Sequence, residues 1–233
     1  MSDISIKMKK KILIVILLFF VSINKLVAQD FKVNINKLTE ETQQLSESND
    51  KMRLVWWIPV EYWEAIFTQD QTISKLEADK MLSILEKYTM LAIIDGDISE
   101  SGTISYVDRD ETFNKLVVID KNKNEYTPLL EEEIDLDTKN MVAIMKPILG
   151  NMLGRLGENM HFFLFQKRDN PLEKIVDPKN KELFEVKVSE ERFVWKLPLG
   201  ALLKPKLCPV DNQPLDGSWD YCPYHGSKLT TNK

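Results

Sequence analysis

The chain has 233 residues, 43% apolar and 29% charged, which is enough for one sizeable hydrophobic core or two small ones. Ten prolines, eight glycines and 9% aromatics exclude wholesale disorder, collagen-like repeats and low-complexity character. The formal net charge is −5 and no run of Lys or Arg interleaves with aromatics; such a surface repels phosphate backbones, so nucleic acid is not an expected partner.

Residues 1–28 read as an export signal. Lys7, Lys9, Lys10 and Lys11 form a basic head, and residues 12–21 are an unbroken apolar run. At ~1.5 Å per residue that run reaches only about half a hydrocarbon core. Polar Ser22, Asn24 and Lys25 interrupt it, and Ala28 before Gln29 offers a signal-peptidase site. The rival is an uncleaved anchor over 12–28, which would place Lys25 in hydrocarbon. Met8 before three lysines is an alternative start to Met1. Cleavage leaves 26 basic and 35 acidic residues, a net charge of −9, with no stable membrane span expected.

In the mature chain, residues 29–50 are polar, with Leu38 and Leu45 as the main apolar pair, and predict a helix or linker. Residues 54–58, stopped by Pro59, predict a buried strand containing Trp56 and Trp57. A short helix follows over 61–67, then a longer one over 72–88 with Thr72 as N-cap. Three β-rich runs at 90–94, 103–107 and 115–119, separated by Asp, Gly, Ser and Asn, predict an antiparallel meander. Acidic residues 131–137 precede a helical pattern over 141–156, which Pro147 should kink or divide and Gly157 should stop. Period 2 then returns at 161–166, 183–188 and 192–197, the last two as a hairpin. The expected fold class is α+β: an antiparallel sheet of meander plus hairpin with packed helices over 51–205, followed by a small tail over 206–233. A β-sandwich with inserted helices is the alternative.

The tail holds both cysteines. Cys208-Pro209-Val210-Asp211 and Cys222-Pro223-Tyr224-His225-Gly226 are matching halves offset by 14 residues, and each has a leucine seven residues after its cysteine, Leu215 and Leu229. Two ligands three apart on a tight turn converge on one point, and two such turns close a four-ligand shell. Over residues 206–229 the tail resembles a zinc ribbon, the family built from two CPxCG knuckles. The resemblance implies a structural zinc held by Cys208, Asp211, Cys222 and His225, with Asp211 standing where the family has cysteine. A Cys208–Cys222 disulfide is the alternative expected of an exported protein, and a metal-free degenerate ribbon is a third. Zinc stabilises finger peptides by roughly 10–16 kcal/mol. A disulfide closing a loop of about 15 residues contributes roughly 3.

Other motifs read as structure. Asp95-Gly96-Asp97 opens like a calcium loop, but Glu100 and Tyr106 occupy the positions that need Gly and a bidentate Glu, so a hairpin connection is expected. Gly150 and Gly154 suggest a packing seam, with a partner-binding or membrane-surface helix as the rival. His161 reads as a packed or surface histidine. Trp56, Trp57, Tyr62 and Trp63 read as core, or as a carbohydrate-stacking platform. The chain carries no G-x-S-x-G, H-E-x-x-H, P-loop or dinucleotide fingerprint. The expected function is therefore a non-enzymatic bacterial protein, periplasmic or secreted, that binds a protein or small ligand. The alternative is an exported hydrolase or carbohydrate-active protein with an acidic site near Trp56, Trp57 and Trp63.

Overall fold

The computed structural model of the chain describes residues 31–231; the export segment expected over 1–28 lies outside them. The fold is α+β, with every strand pair antiparallel. Within the segment expected as a helix or linker, residues 34–45 form elements of the main body. Helix α1 (Ile35–Thr42) is capped by Asn34, whose side chain accepts from the Lys37 N–H, and Leu38 is fully buried. Strand β1 (Gln43–Leu45) continues from it and pairs with β2 (Leu54–Ile58).

Helix α2 is Val60–Gln69 and α3 is Lys75–Leu85. Ser74, not Thr72, caps α3: its hydroxyl accepts from the Glu77 N–H while the Glu77 carboxylate accepts from the Ser74 N–H. Thr72 is held instead by Asp70 in the preceding turn. The capping box wins because it satisfies two orphan amides reciprocally.

The expected meander is not formed, because its three runs enter three different sheets. Strand β3 (Thr89–Ile94) joins a four-stranded sheet of order β1-β2-β3-β8, where β8 is His161–Phe165. Strands β4 (Gly96–Ile98) and β5 (Ile104–Tyr106) form a separate hairpin, so the segment read as a hairpin connection is itself a strand. After the short helix α4 (Arg109–Asn114), β6 (Leu116–Ile119) enters a second sheet with β7 (Glu125–Tyr126) and the hairpin β9 (Leu183–Val188) and β10 (Glu191–Lys196), in the order β10-β9-β6-β7. Every residue of β2 and β3 is buried, which requires cover on both faces.

Adjacent tryptophans show what covers each face, since successive side chains on a strand point oppositely. Trp56 meets Tyr62 of α2 edge-on at 5.6 Å and donates its indole N–H to Thr42 of α1. Trp57 points the other way, onto Phe184 at 4.7 Å and Trp195 at 6.1 Å in the second sheet. The first sheet thus lies between helices and the second sheet, and one hydrophobic core spans all three layers. A buried ion pair ties the layers: Arg53 donates from Nε and Nη2 to Asp95 at 2.9 and 3.0 Å and from Nη1 to Glu191 of β10 at 2.9 Å.

Helix α5 runs from Leu136 to Met152, starting earlier than expected because Asp135 caps it, and it passes through Pro147. Gly157 does not stop it; Leu153 caps it and a 3-10 turn over Gly154–Asn159 reverses the chain. The close contact is between Gly150 and Gly157, where a Cβ on Gly157 would lie 2.0 Å from the Gly150 carbonyl oxygen. Among the described residues no helix is long and apolar enough to cross a membrane.

Candidate metal centre

The tail forms a three-stranded sheet of order β12-β11-β13, with β11 (Lys206–Leu207) central between β12 (Pro214–Leu215) and β13 (Thr230–Thr231). Its two turns are built alike, as the 14-residue repeat requires. The Cys208 N–H donates to the Gln213 carbonyl at 3.0 Å, and the Cys222 N–H donates to the Ser227 carbonyl at 2.8 Å. The Asn212 N–H returns to Cys208 O at 2.8 Å and the Gly226 N–H to Cys222 O at 2.9 Å. Asn212 and Gly226 both hold positive φ, +60° and +63°, the left-handed conformation that Gly and Asn adopt most readily. Leu215 and Leu229, the two repeat leucines, are buried with Cys208 and Cys222 in a separate small cluster.

These turns aim three donors at one point. Cys208 Sγ lies 3.4 Å and Cys222 Sγ 3.5 Å from His225 Nδ1, and the sulfurs are 3.6 Å apart. For zinc with Zn–S near ~2.3 Å and Zn–N near ~2.0 Å, the edges of a tetrahedral shell are about 3.8 Å for S···S and about 3.5 Å for S···N. The three donors therefore have the chemistry and spacing of a metal-binding set. The disulfide alternative is not formed: both cysteines are free, and an S–S bond is about 2.05 Å long.

Asp211, the fourth expected ligand, stands apart from that mutually close set. Its Oδ2 is 3.9 Å from His225 Nδ1, while its Oδ1 accepts the Gln213 N–H at 3.0 Å. That N–H, foremost, and Cys208 hold the Asp211 carboxyl below its ordinary range. Burial pushes the Cys208 thiol up, against backbone N–H groups of Val210 and Asp211 that favour the thiolate. Cys222 feels burial in the same sense, but the N–H groups of Tyr224 and His225 and the His225 ring outweigh it and pull its thiol down.

Sequence reasoning did not find what seats the tail. Asp216, nearly buried, takes the Lys37 ammonium of α1 and the Ser218 N–H and hydroxyl. Its carboxylate fits only because Gly200 has no side chain: a Cβ there would lie 2.2 Å from Asp216 Oδ1. Only the glycine was a visible signal, and nothing in its local sequence named Asp216.

The other aromatic and histidine candidates are structural. Trp56, Trp57 and Trp63 are at most 4% exposed, so none presents a face for stacking a sugar. His161 is half-buried at the start of β8. No known family model matches the chain, and no curated protein or solved structure is significantly similar to it.

Proposed function

We propose that this is an exported, non-enzymatic binding protein of a bacterium whose C-terminal ribbon is stapled by one structural zinc. The observation that carries the metal reading is the convergence of Cys208, Cys222 and His225 from two matching turns. A four-residue apolar cluster is too small to hold a tail of this length by burial alone, so a staple supplies what the core lacks. Zinc bound there orders the tail, and the two thiolates with the His225 imidazole are the groups this chain contributes. Asp211 completes the shell directly or through water. Export is supported by the basic head and apolar run of residues 1–28.

Metal analysis of the purified mature protein is the test. About one zinc per chain is expected, with His225→Ala losing more zinc affinity than Asp211→Ala, because His225 belongs to the mutually close donor set and Asp211 does not. Protein that carries no zinc and shows no free thiol after denaturation is disulfide-bonded, and the metal reading is then wrong.

A further inference from the structure

A cavity of about 210 Å³ lies between α5 and the edge strand β8. Leu129, Val142 and Phe162 give it an apolar lining, and Arg109, Lys139 and Lys146 stand around it. In a chain of net charge −5, three cations about one apolar hollow are a local reversal of sign. Glu131 also lines the cavity. It is engaged by Arg109, and among the described residues the ion pairs here are those of Arg109, to Glu131 at 3.4 Å and Asp110 at 3.5 Å; the two lysines have none. Lys139 and Lys146 are seven residues apart, which places them within about 20° of each other around the helix axis. His161, at the start of β8, registers the same field: burial foremost, then Lys146 and Arg109, hold it below its ordinary value against the opposing charge of Asp108.

Size limits the occupant. At about 30 Å³ of liquid volume each, roughly seven waters fill such a space. Pockets for drug-sized ligands run from ~300 to ~1,000 Å³, so a smaller molecule is required. We propose that this cavity binds a small amphipathic carboxylate, such as a medium-chain acyl or aryl acid, with its hydrocarbon against Val142 and Phe162 and its carboxylate at the Lys139 and Lys146 rim. Burial of the hydrocarbon drives entry, and the two unpaired ammonium groups select the anion over neutral or cationic molecules of equal length. The site is independent of the zinc reading of the tail.

Calorimetric titration of the purified protein with octanoate, 1-octanol and octylamine tests it. Octanoate is expected to bind about tenfold more tightly than either of the others, and less tightly as salt is raised. The Lys139→Gln/Lys146→Gln variant, altered only at the solvent-side rim, should keep its circular dichroism and lose that preference. Ala143→Trp, which fills the cavity wall, should abolish octanoate binding. Equal binding of octanoate and octanol overturns the proposal, as does undiminished octanoate binding in the folded lysine variant or no octanoate binding at millimolar concentration. Zinc content is unaffected by any of these outcomes.

Discussion

Asp120 shows how much one side chain organises when its charge is buried. Only 3% exposed, it accepts the N–H groups of Asn122 and Asn124 at 2.8 and 2.9 Å, the Asn124 amide at 3.0 Å and the Tyr126 hydroxyl at 3.0 Å. Burial pushes its carboxyl up, and these four bonds outweigh it and hold the group below its ordinary range. The same anion acts on Tyr126, whose phenol is pushed up to about 12 by burial first and by its bond to Asp120 next. A raised folded pKa means that the protonated phenol is favoured by folding. Its stabilisation is complete below the unfolded value near 10 and is lost as pH rises through about 12. Tyr126→Phe removes the titrating group and keeps the ring. The stability gap between wild type and Tyr126→Phe is therefore expected to be constant at neutral pH and to shrink between about pH 10 and 12. Urea midpoints of both proteins across that range measure it, and curves that stay parallel through the window show that Tyr126 does not titrate this way.

Among elements, the join between β2, β3 and the β9–β10 hairpin depends on Arg53. Its side chain is 5% exposed and Asp95 is 4%, so removing Arg53 leaves the Asp95 carboxylate unpaired in the core, and removing Asp95 leaves the guanidinium's Nε and Nη2 without their acceptor and only Glu191 to balance its charge. Asp95→Ala is expected to cost about 3–5 kcal/mol, and replacing both partners, as Arg53→Met/Asp95→Leu, to recover most of that loss. Denaturant unfolding of the single and double variants forms the cycle; additive losses would show that the pair is not coupled. Nothing in the sequence singled out this pair, because Arg53 and Asp95 are 42 positions apart and each sits beside an apolar run that looks complete without it. The elements themselves were more legible. The alternation Phe184, Val186, Val188 against Phe193, Trp195 gave the β9–β10 hairpin, since one face is buried and the other wet. Local chemistry was misread where two caps competed, as at Thr72 and Ser74, and where glycines three residues beyond the expected partner made the contact, as at Gly157. Sheet membership was not legible at all: periodicity states that β3, β5 and β6 are strands, but long-range burial decides which sheet each one joins.

At the scale of the molecule, the large core and the tail are stabilised by different means. The main body closes three layers around Trp56 and Trp57, whereas the tail buries two cysteines and two leucines. Two ion pairs link them: Lys37 with Asp216, and Lys181 with Asp220 at 2.9 Å. Lys181 and Asp220 are well exposed and solvent screens their attraction, so such contacts orient the ribbon and do not fold it. The repeat of Cys, Leu and the left-handed Asn212 or Gly226 made the ribbon's internal symmetry readable from the sequence, while its seat on Gly200 was not. If zinc is the staple, a chelator removes the tail's principal stabilisation and leaves the layered body intact. The expected result is release of about one zinc, reaction of both Cys208 and Cys222 with a thiol reagent, and retained far-ultraviolet circular dichroism from the helices and large sheets. Deleting residues 207–233 should give the same folded body with Lys37 and Gly200 uncovered. Loss of all secondary structure on either treatment would show that the tail holds the main body together, and unreactive thiols after chelation would show that the turns close around the cysteines without any metal.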